Sequence, residues 1–241
     1  MLLEAGLPKP GGAVELKSRG DYVTATDRRS EAAILEALAR EAPGIAVLAE
    51  EGGGTRERTM WVVDPLDGTT NFTRGHPVVG ISVALLEGGM PAVGVVLAPF
   101  LHLEFTVARG HGAFLNGERL PQRADTEPAH AVVATGFPFR KKSLVPRYLR
   151  MFDGALGTFE DLRRAGAAAL DLAWTAAGTF DGFFELNLNT WDVAAGAALV
   201  LEVGGRVTDW SGGEEWITSG DILAAPPAVH EALLQLAEEA T

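Results

Sequence analysis

The densest chemistry in the sequence lies in Trp61-Val62-Val63-Asp64-Pro65-Leu66-Asp67-Gly68-Thr69-Thr70-Asn71. Asp64 closes an apolar run, Pro65 is expected to end the strand, and the turn that follows should aim Asp67 at the same point as Asp64. Two converging carboxylates repel one another unless a cation lies between them. The set has no His or Cys, and hard oxygen donors favour Mg2+ over Zn2+. Gly68 carries no side chain, so the backbone there can approach a phosphate closely, with the Gly68 and Thr69 amides as an anion-binding nest. A D-x-x-D spacing alone also fits an acidic turn. The apolar strand before it and the Gly-Thr within it favour the functional reading.

Three further acids have ambiguous readings when taken singly. Asp192, in Thr190-Trp191-Asp192-Val193-Ala194-Ala195-Gly196, stands at the start of an expected helix, where the dipole alone favours an acid. Glu50-Glu51 ends an expected strand and reads by itself as an acidic loop. Glu185 ends Gly182-Phe183-Phe184, seven residues before Asp192. A carboxylate so placed must be paired or meet a hydroxyl-bearing ligand, because a desolvated unpaired charge is costly. His76 and His102 match no ligand spacing and read as structural. Trp174, Phe180, Phe183 and Phe184 read as core.

Composition narrows the classes. The 241 residues carry a formal net charge of −12, from 20 Lys+Arg against 32 Asp+Glu. No basic footprint is present, which argues against nucleic-acid binding through the phosphate backbone. An acidic protein binds an anionic substrate when bound cations invert the local field. The absence of cysteine excludes disulfides and thiolate metal sites. No apolar run approaches the roughly 18 to 20 residues of a membrane span, and the first residues lack the pattern of a signal peptide. The expectation is a cytoplasmic protein with no membrane or nucleic-acid partner.

The elements that position these residues follow from periodicity and turn signals. A helix is expected after Thr26-Asp27, with Ala33, Ile34, Ala37 and Leu38 opposed to Glu31, Glu36 and Arg40, ending at Pro43-Gly44. Ala46 to Ala49 and Trp61 to Asp64 read as strands, the second stopped by Pro65. From Val79 to Leu115 short turns and period-2 segments predict antiparallel strands, and Asn116-Gly117 a tight turn. A polar stretch at 124–129 marks a boundary between an N-terminal α+β subdomain, 1–125, and a smaller C-terminal α/β subdomain, 126–241. The latter is expected to hold strands at 131–135, 182–185, 206–208 and 222–225, and helices at 167–177, 193–202 and 227–239. This alternation predicts helix layers interleaved with two sheets, the first rich in antiparallel pairs.

Five ordered blocks carry a resemblance: Asp21-Tyr22-Val23-Thr24-Ala25-Thr26-Asp27, Glu50-Glu51, Asp64 to Asn71, Gly112-Ala113-Phe114-Leu115-Asn116-Gly117, and Trp191-Asp192-Val193-Ala194-Ala195-Gly196. In this order they resemble the inositol monophosphatase family, within the fructose-1,6-bisphosphatase-like superfamily of Mg2+-dependent, Li+-sensitive phosphatases. The resemblance implies a layered αβαβα sandwich and a homodimer. It implies that Glu50, Asp64 and the Leu66 carbonyl bind one Mg2+, that Asp64, Asp67 and Asp192 bind a second, and that Glu50 helps hold a third through water. Thr69, hydrogen-bonded to Asp27, would activate the attacking water. The Gly68 and Thr69 amides would hold the phosphate, and Glu185 would face the hydroxyls of the alcohol. The implied substrate is a small phosphorylated metabolite, with inositol 1-phosphate preferred and fructose 1,6-bisphosphate the alternative; a protein-binding scaffold is the alternative outside enzymes. Two departures bear on this. The short opening segment with Pro8, Pro10, Gly11 and Gly12 implies a truncated or lost N-terminal helix, and Ala167 stands where the family often has Ser or Thr. Arg163-Arg164, also placed near the pocket, would either anchor a distal phosphate or pair at the surface.

Overall fold

The computed structural model describes Leu2 and residues 6–8, 15–18, 21–23 and 25–241, with only the backbone described for 15–18 and 21–23. The expectation of a truncated N-terminal helix falls largely outside these residues. The chain enters through an antiparallel ribbon of β1 (Glu15–Ser18) and β2 (Asp21–Val23).

Helix α1 (Ala25–Glu41) forms where expected, but its buried face is not the apolar one. Asp27, Ser30 and Glu31 are buried, while Ala33 is exposed. The reason is hydrogen bonding: Ser30 Oγ donates to the Pro65 carbonyl at 2.8 Å, and Glu31 Oε2 accepts the Glu51 amide at 2.8 Å. A buried polar group is tolerated where it is paired in this way.

The larger sheet is built from β3 (Ala46–Ala49), β4 (Gly53–Gly54), β5 (Met60–Asp67), β6 (Gly80–Glu87), β7 (Met90–Ala98), β8 (Leu103–Ala108), β9 (Gly112–Leu115) and β10 (Glu118–Arg119), with α2 (Thr69–Thr73) after β5. Its order is β10-β9-β8-β7-β6-β5-β3-β4, and only β3 and β5 pair in parallel. Asn116 (φ 50°) and Gly117 (φ 81°) make the expected turn between β9 and β10.

Pro65 does not end the strand. The register of β5 on β6 runs Asp64↔Ser82 and then Asp67↔Gly80, so one extra residue is inserted in β5. Residues three apart on a regular strand point to opposite faces. The bulge restores Asp64 and Asp67 to one side, and Pro65 fits there because no ladder N–H is required of it.

The smaller sheet comprises β11 (Val132–Thr135), β12 (Asp161–Arg163), β13 (Gly182–Glu185), β14 (Arg206–Thr208) and β15 (Ile222–Ala225), in the order β12-β11-β13-β15-β14. The accompanying helices are α3 (Val145–Thr158), α4 (Ala168–Ala177), α5 (Thr190–Glu202), the short α6 (Trp216–Ser219) and α7 (Pro227–Glu239). The strand β12 and the helix α3 were not anticipated. Helix α3 carries Gly154 and Gly157, which weaken the local helical signal, yet Tyr148, Met151 and Ala155 recur on one buried stripe.

The layers run α1, larger sheet, α4 with α5, smaller sheet, and α3 with α7. The central pair is Ala-rich and buried on every side, as a helix between two sheets must be. Phe183 faces this central core, and its neighbour Phe184 faces the outer core with Tyr148, Leu223 and Leu233. Among the described residues no helix is long and apolar enough to cross a membrane.

Candidate active site

A cavity of about 750 Å³ opens where the bulged end of β5 meets the first turns of α4 and α5. Glu50, Asp64, Asp67 and Asp192 share its wall with Leu66, Gly68, Thr69 and Glu185. The four acids come from distant segments for separate reasons. Asp64 and Asp67 are aligned by the bulge. Glu50 follows β3, and its amide is tied to the Val63 carbonyl at 3.1 Å. Helix α5 begins at Thr190, three residues earlier than expected, so Asp192 lies inside the first turn behind the N-cap Asn189. The Asp192 carboxylate accepts the Asn189 amide at 2.6 Å. The capping role open to this residue is therefore filled, and the same carboxyl also hydrogen-bonds to Asp64.

The electrostatics of the cluster are unfavourable without a cation. Burial pushes the Asp64 carboxyl well above its ordinary range, and the charges of Glu50, Asp67 and Asp192 push it further. Asp67 is raised to about 8, first by desolvation and then by Asp192, against the pull of the Ala169 and Ala168 amides. The Ala169 amide reaches Asp67 Oδ2 at 2.8 Å. Asp192 is raised by burial, opposed by its Asn189 contacts. Glu50 and Asp64 hydrogen-bond to each other, as do Asp64 and Asp192. Carboxyl groups this close must share either a proton or a cation. Among the described residues no three acidic or imidazole side chains form a ready ligand cage; the fit to a metal rests on these shared pairs. An all-oxygen donor set suits Mg2+.

Beside the cluster, Thr69 Oγ1 donates toward Asp27 Oδ1 at 3.2 Å and toward the Leu66 carbonyl at 3.1 Å. Asp27 is 1% exposed in the first turn of α1. Gly68 adopts φ 86°, and a side chain there would press on the Val78 carbonyl at 3.0 Å and the Gly166 carbonyl at 3.3 Å. Only glycine suits both the left-handed backbone and the space.

The cavity wall also holds Glu185, raised to about 8 by desolvation, with Arg164 pulling it down and Asp192 and Asp67 pushing it up. Gly136 makes room for this carboxyl, since a Cβ there would collide with Glu185 Oε2. Arg164 lines the cavity, with its guanidinium 5.5 Å from the Phe137 ring centre and 5.8 Å from that of Phe139. The two arginines separate: Arg163 is half exposed and pairs with Asp161 at 2.6 Å on β12. The expectation of a pocket contact therefore holds for Arg164 and fails for Arg163, because consecutive residues at a strand end point to opposite sides.

Residues 3–241 match the inositol monophosphatase family. The chain belongs to that family. It is 44% identical to the Nus factor SuhB of Pseudomonas aeruginosa over 229 residues, covering 92% of this chain and 84% of that protein. The crystal structure of the extragenic suppressor protein suhB from Bartonella henselae superposes with a TM-score of 0.89 at 37% identity, covering 94% of this chain and 88% of that one. The Thermotoga maritima IMPase superposes with a TM-score of 0.86 at 33% identity, covering 95% and 88%. The family is one of metal-binding phosphatases that generally use Mg2+, and the layered sandwich is its fold.

Two residues of this inositol monophosphatase family site escaped the sequence reading. Asp171 lies in the cavity wall, 1% exposed, and burial followed by the charges of Glu185 and Asp67 pushes its carboxyl well above the ordinary range. Among the described residues its Oδ1 has no hydrogen-bond partner. The available signal was a lone acid inside an Ala- and Leu-rich helix, a position where acids are rare. The other is Asn71, present in the quoted motif but given no role there. Its Nδ2 donates to the carbonyls of Val78 at 2.8 Å, Ala165 at 3.0 Å and Gly166 at 3.3 Å. His76 and His102 line no part of the cavity. Trp174 and Phe180 pack edge to face at 5.5 Å, and Phe183 and Phe184 are wholly buried.

Proposed function

We propose that this chain hydrolyses the phosphomonoester of a small polyol, with inositol 1-phosphate preferred over fructose 1,6-bisphosphate. The observation that carries the reading is one cavity holding two carboxyl–carboxyl contacts, Glu50–Asp64 and Asp64–Asp192, with the half-buried Glu185 in the same wall. Glu50, Asp64, Asp67, Asp192 and the Leu66 carbonyl would hold roughly two to three Mg2+ ions. When bound, Mg2+ supplies charge neutralisation for phosphate oxygens and makes water more acidic. The Gly68 and Thr69 amides receive the phosphate. The Thr69 hydroxyl orients a water for in-line attack on phosphorus, and Asp27 takes up the proton through it. As the new P–O bond forms, the ester P–O bond breaks; the departing alkoxide takes a proton from solvent, and Asp27 returns its proton to solvent. Glu185 accepts hydrogen bonds from hydroxyls of the alcohol. Positioning and electrostatics carry this chemistry, so no covalent intermediate with the protein is required.

The test is a panel of phosphorylated metabolites assayed for phosphate release with Mg2+ and with EDTA. Mg2+-dependent turnover fastest on inositol 1-phosphate is expected. Full turnover in EDTA, or no release from any monophosphate, overturns the reading. A homodimer in the cytoplasm is part of the proposal, and light scattering showing only monomer at micromolar concentration removes the dimer.

Relatives at 42–44% identity carry the name Nus factor SuhB, which favours a second, protein-binding role beside hydrolysis. Asp192→Asn separates the two, because it removes a metal charge while keeping a cap acceptor for Asn189. A binding role should survive this substitution and turnover should not. A partner protein that binds wild type but not the variant would tie the second role to the metal cluster and count against their independence.

A further inference from the structure

The segment 164–169 joins the two halves of the site, and one side chain, Asn71, ties its carbonyls to the chain after β5. Ala165 and Gly166 present their carbonyls toward the loop 68–78, where the Val78 carbonyl already points inward. Three acceptors converging on one point repel one another unless a donor stands among them. Asn71 Nδ2 is that donor, reaching all three within 3.3 Å. The Asn71 carbonyl closes the loop on its own side, accepting from the Arg74 amide at 3.1 Å and the His76 amide at 2.9 Å. Beyond Gly166 the chain enters α4, whose first amides, Ala168 and Ala169, hydrogen-bond to Asp67. From the far side the Asp171 carboxyl accepts the Gly166 amide.

We propose that Asn71 is a positioning residue for the phosphatase reaction: it latches segment 165–166 to the loop after β5 and so fixes the α4 amides that orient Asp67. The same latch sets the wall of the phosphate nest, because the Val78 and Gly166 carbonyls it binds are the atoms a side chain at Gly68 would first meet. The inference rests on the phosphatase reading for its effect on turnover, and on geometry alone for its effect on cation binding. Misplacing a group near the reacting phosphate lowers turnover more than substrate binding, and a shift of about 1 Å can cost about a hundredfold. Asn71→Ala leaves space in which a water can supply the two missing donors. Asn71→Asp keeps the size but sets an acceptor-only group against three carbonyls, so it should be the more damaging.

The experiment compares wild type, Asn71→Ala, Asn71→Asp, Gly166→Ala and the control Thr73→Ala, using inositol 1-phosphate for kinetics and Mg2+ alone for calorimetry. Gly166→Ala disturbs the latch from the other side without removing any hydrogen-bonding group, since Gly166 has φ 94° and a Cβ there would crowd Arg164 and Asn71 Nδ2. Thr73 is buried on the same short helix, and its hydroxyl donates to the Thr70 carbonyl at 2.9 Å. We expect kcat to fall about tenfold in Asn71→Ala and about a hundredfold in Asn71→Asp, with KM within about threefold. Mg2+ affinity should weaken in Asn71→Asp and Gly166→Ala, and Thr73→Ala should keep both kcat and Mg2+ affinity. The proposal is overturned if both Asn71 variants keep kcat within about twofold of wild type, or if Thr73→Ala loses as much at equal loss of Tm. Should Asn71→Asp not fold, Gly166→Ala decides by the same readouts. A wild type that releases no phosphate refutes the phosphatase reading, and unchanged Mg2+ affinity across the variants then refutes the latch separately.

Discussion

Replacing Asp67 with Asn should stabilise the metal-free protein at neutral pH even as it abolishes turnover. In the folded state the Asp67 carboxyl titrates at about 8, against an ordinary value of 3.8. Between these values the folded protein holds a proton that the unfolded chain has released. Stability contributed by this group is present below pH 3.8 and is lost as pH rises toward 8. One proton is worth about 1.4 kcal/mol per pH unit, or roughly 3 kcal/mol between pH 5.5 and 7.5. Asp67 is only partly buried, so solvent screening trims this to about 2 kcal/mol. Asn cannot titrate and keeps one oxygen for the Ala169 amide. The assay is urea unfolding in EDTA at both pH values. The wild type should lose about 2 kcal/mol more than the variant on going from pH 5.5 to 7.5. His230, held neutral down to about 4 by burial, is common to both proteins and cancels in the difference. Saturating Mg2+ should reverse the order, because a cation stabilises the state that binds it. Parallel pH curves for the two proteins would refute the claim that Asp67 sits in a repulsive, desolvated cluster.

Thr69→Ala should lower kcat by about 10²- to 10⁴-fold, the usual span for loss of general-base assistance, with the fold intact by circular dichroism; unchanged kcat would remove the Thr69–Asp27 pair from the mechanism. Gly136→Ala should raise KM for inositol 1-phosphate by about tenfold with little change in kcat, because the added methyl takes the space of the Glu185 carboxyl; a KM equal to wild type would show that Glu185 does not meet the alcohol. Arg164→Ala should lower kcat/KM for fructose 1,6-bisphosphate more than for inositol 1-phosphate, and Glu185→Gln should do the reverse. Equal effects of each substitution on both substrates would leave the polyol preference without support.

The sequence singled out Glu50, Asp64, Asp67, Asp192 and Glu185, which the fold brings to one cavity, while missing part of the reason they converge. Pro65 reads as a strand stop, and a stop followed by a turn would bring Asp64 and Asp67 together. The actual device is a one-residue bulge inside a continuous strand, and a bulge is a property of pairing with β6, which local sequence does not contain. The layered fold was legible because its strands alternate cleanly and its turns carry Gly and Asn. Helix α3 was not, since its glycines masked a stripe that only the smaller sheet completes.

A more general physical limit explains the remaining misses. Amphipathic reasoning assigns the apolar face of a helix to the interior, but next to a site that binds charge the interior itself is polar. Helix α1 therefore turns Asp27, Ser30 and Glu31 inward, where Thr69, the Pro65 carbonyl and the Glu51 amide receive them. Asp171 is the same inversion in an otherwise apolar helix, and Asn71 is its counterpart on the short helix α2: an amide whose three acceptors lie 7, 94 and 95 residues away in sequence. No short window of sequence holds both partners of the contacts 94 and 95 residues apart. The local pattern could identify the groups that carry charge, but the groups that hold the site in shape become visible only when the two halves of the chain are brought together.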